Sequence, residues 1–88
     1  MILTCRKRPV ALKAVQWTGY NKQEITEFME DEARFIQYEP GDIPVLYIHS
    51  IYDDNTCVQL HDYIVRDEKG HYCPCAYEYF EEIYEVME

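Results

Sequence analysis

Three residues near the carboxyl end, His71, Cys73 and Cys75, stand two positions apart, which is the side-chain repeat of a β-strand. Residues at this spacing lie on one face of a strand, so the three side chains can point the same way. Cys57 and His61 fall on the segment just before them. Imidazole nitrogen and thiolate sulfur are the donors that tetrahedral zinc takes in structural sites. The sequence therefore predicts a structural zinc ion with ligands drawn from these five residues.

The same residues allow two other interpretations. In the first, the cysteines are small apolar residues of the core, the histidines lie at the surface, and no metal is bound. In the second, Cys73 or Cys75 is a nucleophile next to His71. Nucleophilic catalysis also needs a group that orients the base and an oxyanion hole, and the sequence suggests neither. We therefore expect a binding protein and not an enzyme.

A run of glutamates and tyrosines closes the chain. The glutamates recur at three- and four-residue spacing, which places them along one side of a helix. Such a row can imitate the phosphates of a nucleic acid and enter a channel lined by Lys and Arg, where tyrosine rings add desolvated contact area. The alternative is an ordinary solvated helix face. The predicted partner-binding residues are Glu78, Glu81, Glu82, Glu85, Tyr77 and Tyr79.

A cluster of three basic residues, Arg6, Lys7 and Arg8, stands out in a chain of net charge −9. It offers an anion site, for example for the phosphate of a nucleotide. Two other interpretations are that it pairs with the acidic tail across a sheet, where exposed ion pairs contribute little stability, or that it begins a strand.

Length and charge set the broad class. With 88 residues, the chain has room for one domain, residues 1–88, and one core. Its negative charge repels polyanions, so direct binding to nucleic acid or to an anionic membrane is disfavoured, and a basic protein groove is attractive. A core this small leaves little stability in reserve, so a metal or assembly into a homo-oligomer would help.

The first residues carry their positive charge after a short apolar run, the reverse of the order in a secretory leader. No apolar stretch approaches the length of a membrane span. We therefore expect a cytoplasmic location, in which the four cysteines stay reduced.

Alternation of apolar residues predicts that much of the chain is strand. The first segment, 9–17, carries apolar residues on both parities, so we expect either a β-bulge or partial cover on both faces. Pro74 has no N–H to donate and is expected to end the last strand. Short hairpin connections make the sheet largely antiparallel. The predicted strands are 9–17, 34–38, 45–49, 57–60, 63–66 and 71–73.

Two segments have the apolar spacing of short helices, 22–31 and 76–85. The first begins after Asn21, a favourable N-cap residue. The predicted fold class is α+β: a single small domain with a mostly antiparallel sheet of four to six strands and one or two short helices. The residues predicted to be buried in the second helix are Ala76, Phe80 and Ile83.

Two parts of the sequence resemble a family of small proteins from phages and prophages. Residues 20–60 fall outside the resemblance, and His61 stands where the family's turn usually has glycine. The matching segments are 6–10 (RKRPV), 14–19 (AVQWTG), 62–65 (DYIV), 70–75 (GHYCPC) and the pair Phe80 and Tyr84.

Small phage proteins of this kind are used against host defences, some as anti-CRISPR proteins and some as sponges for immune nucleotides. The resemblance thus implies a protein that acts in the cytoplasm of a bacterial host. With the acidic carboxyl-terminal run, it predicts an anti-defence inhibitor that binds a CRISPR effector nuclease stoichiometrically and blocks its access to DNA.

Two alternatives follow from the same resemblance. An oligomeric sponge for a nucleotide signal would hold phosphates with basic residues such as Arg6, Arg8 or Arg66 and stack a base on Trp17. A structural role in the virion would place the protein in purified particles.

Overall fold

The computed structural model describes residues 2–7, 10–50 and 55–87, without the side chains of 5–7, 10, 11, 31, 83 and 85–87. The strands are β1 Ile2–Lys7, β2 Val10–Gln16, β3 Gln37–Glu39, β4 Val45–Ile48, β5 Thr56–Val58, β6 Tyr63–Arg66, β7 Tyr72–Cys75 and β8 Glu85–Met87. The helices are α1 Lys22–Met29 and α2 Tyr77–Ile83, and a 3₁₀ turn, Glu30–Phe35, follows α1. In the described part of the chain, neither helix is long and apolar enough to cross a membrane.

The strands form two sheets, a five-stranded one in the order β7-β6-β2-β1-β8 and a three-stranded one in the order β3-β4-β5. Every strand pairing in the described residues is antiparallel. The predicted α+β class, with mostly antiparallel sheet and short helices, is confirmed. The strands are divided between two sheets, however: β3, β4 and β5 pair with one another, whereas the larger sheet draws its strands from both ends of the chain.

The helix α2 connects β7, at one edge of the larger sheet, with β8, at the other edge. Because each neighbouring pair is antiparallel, β7 and β8 point the same way. The helix therefore crosses the full width of the sheet on one of its faces.

The central strand β2 has buried residues on both faces, which is one of the two alternatives predicted from its sequence, and its pairing with β1 and β6 runs without a bulge. Its neighbours Ala14 and Val15 are both fully buried, but in different core clusters. The larger cluster lies between this sheet, α1 and the three-stranded sheet. Its buried members are Val15, Trp17, Ile25, Phe28, Met29, Leu46, Ile48, Val58, Ile64 and Tyr72.

The opposite face of the larger sheet packs against α2, where Ala14, Val65 and Phe80 are buried. Burial of apolar side chains on both faces makes this sheet the middle layer of the domain. The partly buried residues around this second cluster are Leu3, Leu12, Tyr63, Cys73, Cys75, and Tyr84.

The predicted apolar stripe of α1 is confirmed, since Ile25, Phe28 and Met29 are buried. Asn21 precedes the helix, but its side chain makes no capping bond to it. Its Nδ2 donates instead to the carbonyl of Gln16 at 2.7 Å, and its Oδ1 accepts from the backbone N–H of Thr18 at 2.9 Å. Asn21 therefore fastens the end of β2 to the start of α1.

Several elements differ from the sequence predictions. Pro74 does not end its strand, because β7 is an edge strand and alternate N–H groups of an edge strand have no neighbour to bond. α2 ends at Ile83, and the extended residue Tyr84 leads into β8. Ala76 is exposed just before the helix. Arg34 lies in the 3₁₀ turn and not in a strand.

Candidate functional site

The helix α2 presents most of its surface to solvent. Among its described side chains only Phe80 is buried, at 1% exposure, whereas Tyr77 and Tyr79 are 51% and 54% exposed. The glutamates of the helix are exposed as well. We call these five exposed residues the α2 surface: Tyr77, Glu78, Tyr79, Glu81 and Glu82.

Two contacts join α2 to β6 and to the turn before it, and a third joins the helix to the residue that follows it. The ring of Phe80 stacks on Tyr63 of β6, with 3.8 Å between centroids, and lies 5.2 Å from the ring of Tyr84. The carboxylate of Asp62 accepts a hydrogen bond from the backbone N–H of Tyr77 at 3.3 Å. Side chains from β6, from the turn before it and from the end of the helix thus fix the position of the α2 surface.

The α2 surface is negatively charged. Within the described part of the chain, Glu78, Glu81 and Glu82 take part in no ion pair. Burial raises the pKa of the Tyr63 phenol above its usual value, and the nearby Glu81 carboxylate raises that pKa further. Five of the six predicted partner-binding residues, all except Glu85, lie on α2.

The sixth, Glu85, does not belong to this helix. It begins β8, where the backbone register places it opposite Arg6 of β1. Cross-strand pairing of the basic cluster with the acidic tail is one of the interpretations given above, and the backbone agrees with it at this one position. Arg8 lies outside the described residues, as do the side chains of Arg6 and Lys7.

The predicted metal ligands are distributed over both sheets. Cys73 and Cys75 lie on the face of β7 that packs around Phe80, whereas Cys57 is exposed on β5 of the other sheet. In the described residues, no group of three or more His, Cys, Asp or Glu side chains is arranged to hold a metal ion. A zinc ion with several of these ligands stays a prediction.

The two predicted histidine ligands have other neighbours. The ring of His61 lies edge-on to Tyr77 at 6.1 Å, and its φ of 76° places it in the left-handed region. His71 has its Nδ1 3.8 Å from a carboxylate oxygen of Asp67. His71 also lines a cavity beside Tyr72, while Cys73 and Cys75, the two candidate nucleophiles, pack around the second cluster.

Comparison with models of known protein families, with curated proteins and with solved structures found no match.

The cavity beside His71 includes a pair of residues that the sequence does not single out. The Nδ1 of His49, at the end of β4, lies 2.8 Å from Oε2 of Glu32 in the 3₁₀ turn. A histidine held by a carboxylate can accept or donate a proton. The two residues are 17 positions apart, so no local spacing indicates their contact. The cavity measures about 360 Å³ and is lined by Glu32, His49, Ser50, Gly70, His71 and Tyr72.

A second feature that the sequence analysis does not anticipate is the exposure of two large apolar side chains, Tyr20 and Ile43. Tyr20 is 97% exposed and Ile43 is 72% exposed. The residues next to them, Gly19 and Pro44, approach each other closely, since a Cβ on Gly19 would lie 3.2 Å from Pro44 Cγ.

The residues proposed for a nucleotide sponge have structural partners. Trp17 is completely buried, and its ring lies edge-on to Tyr38 at 5.9 Å, so it cannot stack on a base. This corrects the expectation that Trp17 is a ligand-binding residue. Arg66 lies 3.6 Å from the carboxylate of Glu30.

Proposed function

We propose that the chain is a phage-encoded anti-defence protein that inhibits a CRISPR effector nuclease by binding it. In this proposal the α2 surface enters the basic channel that holds DNA, and the inhibitor occupies the channel without turnover. The observation that carries the proposal is the exposure of α2: two half-exposed tyrosines stand among three exposed carboxylates on a helix anchored by Phe80.

The charge of the protein favours this kind of partner. A chain of net charge −9 is attracted to a channel lined by Lys and Arg, and long-range attraction speeds the encounter. The carboxylates of Glu78, Glu81 and Glu82 would take the places of phosphates. Such contacts weaken as salt screens them, so inhibition should decline with ionic strength.

The exposed tyrosines supply the rest of the contact. Tyrosine buries a large apolar ring while its hydroxyl still forms hydrogen bonds, which is why it is frequent at the energetic centre of interfaces. Tyr77 and Tyr79 flank Glu78 in sequence, so the helix offers apolar area and charge together. A nucleic acid mimic made of charge alone would lack that area.

The biological setting rests on the sequence resemblance to phage and prophage proteins. It supports action in the cytoplasm of a bacterial host, where defence nucleases are found. The nucleotide sponge is the weaker alternative, because Trp17 is buried and cannot serve as its stacking residue.

The test compares two triple charge reversals with the wild-type protein. Glu78→Lys, Glu81→Lys and Glu82→Lys change the α2 surface, and the control variant carries Glu27→Lys, Glu39→Lys and Glu68→Lys. The control positions are also exposed. Each variant moves the net charge by +6, from −9 to −3, so only the location of the change differs.

DNA cleavage by a panel of purified CRISPR effector nucleases is measured with each protein added. We expect the wild type and the control variant to inhibit an effector in a one-to-one ratio and the α2 variant to lose inhibition. Equal inhibition by both variants would show that α2 is not the contact surface. If the wild type inhibits no effector in the panel, the proposed function is wrong.

A further inference from the structure

The two cysteines of β7 occupy equivalent positions on one face of the strand. In the pairing with β6, Cys73 stands opposite Val65, Pro74 opposite Ile64 and Cys75 opposite Tyr63. The register advances one residue at a time through Pro74, so the pleat is regular. Alternate residues of a regular strand share a face.

Burial confirms this arrangement. Cys73 and Cys75 both pack around the cluster of Ala14, Val65 and Phe80, whereas Tyr72 is buried in the cluster on the opposite side of the sheet. Both cysteines are only partly buried. β7 is an edge strand of the larger sheet, and no other strand of the described residues pairs with its outer side. The two thiols are therefore adjacent on one face and within reach of a small solute.

Their separation does not suit a disulfide. Residues two apart on a strand are about 6.6 Å apart along it, whereas the Cβ atoms of a disulfide lie about 3.5–4.5 Å apart. An ion bound between the two sulfur atoms can join residues at the strand separation, because the sulfur atoms then do not have to contact each other.

We propose that Cys73 and Cys75 bind one Cu(I) ion between their two thiolates. Cu(I) is a soft ion that thiolate ligands select, and it accepts two sulfur ligands in a nearly linear arrangement. Structural zinc takes four ligands, and the described residues offer no group of three or more. The site thus suits a two-coordinate ion better than a tetrahedral one.

The binding step is a proton exchange without oxidation or reduction. The thiol of Cys75 donates a hydrogen bond to the carbonyl of Ala76 at 3.7 Å. Each thiol releases one proton to solvent as its Cu–S bond forms, and Cu(I) remains Cu(I) throughout.

The experiment titrates the reduced full chain with Cu(I) under anaerobic conditions in competition with a coloured Cu(I) chelator. The test variants are Cys73→Ala and Cys75→Ala, which keep the sites apolar, and the controls are Cys57→Ala and Cys5→Ala. Circular dichroism verifies that each variant is folded. X-ray absorption at the copper edge counts the sulfur ligands of the bound ion.

We expect the wild type and both controls to take one equivalent of Cu(I) with two sulfur neighbours, and each test variant to lose that equivalent. Loss in a control variant instead, retention in both test variants, or no competition by the wild type would overturn the proposal. If a test variant does not fold, the proposal is tested instead by alkylating the thiols of the wild-type protein with Cu(I) bound. The proposal requires that Cys73 and Cys75 are protected from alkylation and that Cys57 reacts.

Discussion

The ring of Tyr63 in β6 lies flat on the ring of Phe80 in α2, with 3.8 Å between the centroids and 12° between the planes. This stack is the main apolar contact between the helix and the sheet. It places a phenol that resists ionisation directly beneath a helix whose outer side is acidic. Stability, pH dependence and the position of the α2 surface are therefore linked through one pair of residues.

Truncation of Phe80 should remove the anchor of α2. We expect Phe80→Ala to lower the free energy of unfolding by about 3–5 kcal/mol, because a fully buried aromatic ring leaves a cavity. Phe80→Leu keeps most of the apolar volume and should cost about 1 kcal/mol. Urea denaturation followed by the fluorescence of Trp17 measures both. Tyr79→Ala, at an exposed position, is the control and should change stability by less than about 0.5 kcal/mol.

Stability should decline at alkaline pH in a way that depends on Tyr63. The pKa of Tyr63 is raised by burial and by the charge of Glu81. In the unfolded chain its phenol ionises near pH 10. Above that pH the unfolded state has released a proton that the folded state still holds, so the free energy of unfolding falls as the pH rises. This fall ends only when the pH passes the raised pKa of the folded protein.

Thermal denaturation between pH 9 and pH 11 tests this expectation. Tyr63→Phe should decline less steeply above about pH 10 than the wild type does. Glu81→Gln should bring the pKa of Tyr63 back toward its usual value, while Glu82→Gln should leave it where it is. Identical slopes for the wild type and Tyr63→Phe would contradict the assignment.

Gly19 should be intolerant of any side chain. Its φ is +90°, and a Cβ would lie 3.0 Å from Leu60 Cδ1 and 3.2 Å from Pro44 Cγ. We expect Gly19→Ala to lower the free energy of unfolding by about 1–3 kcal/mol, from backbone strain and from crowding. Gly41→Ala is the matched control, since a Cβ there meets nothing within 4 Å. It should be neutral, and an equal loss in both variants would argue against the described geometry at Gly19.

Glycine at position 61 should stabilise the protein. His61 has a φ of 76°, a conformation that costs a side chain about 1–2 kcal/mol and glycine almost nothing. The backbone N–H of His61 donates to the carbonyl of Trp17 at 2.7 Å, a bond that glycine keeps. We expect His61→Gly to raise the free energy of unfolding by about 1 kcal/mol. His71→Gly, at an exposed position outside the left-handed region, should lower it instead.

Elements defined by local sequence patterns could be predicted, and elements defined by distant partners could not. The two-sided pattern of β2 and the apolar stripe of α1 are properties of consecutive residues, and both are confirmed. β8 is stabilised by pairing with β1, which comes from the opposite end of the chain and also pairs with β2. Glu85 continues the helical spacing of Glu78, Glu81 and Glu82, yet it lies in β8 because that strand completes the sheet.

The candidate sites follow the same rule. The exposure of the carboxylates on α2 follows from their spacing, so it could be anticipated. The contact of His49 with Glu32 depends on how the 3₁₀ turn approaches the end of β4, which no spacing encodes. The effect of Pro74 depends on whether its strand is central or at an edge, and only the complete sheet decides that.

The crossing of α2 from one sheet edge to the other restricts local motion. The connection from Cys75 to Glu85 has to span four intervals between neighbouring strands, roughly 19 Å, and also an offset along the strands, from the level of Gln16 to that of Ala11 in β2. It does so with one short helix and its extended ends. The connection has almost no slack, so α2 cannot lift away while both edge strands stay paired. Amide hydrogens of β7, α2 and β8 should therefore exchange with solvent as one cooperative unit. A partner that binds α2 should therefore slow amide hydrogen exchange in β7 and β8 as well as in the helix.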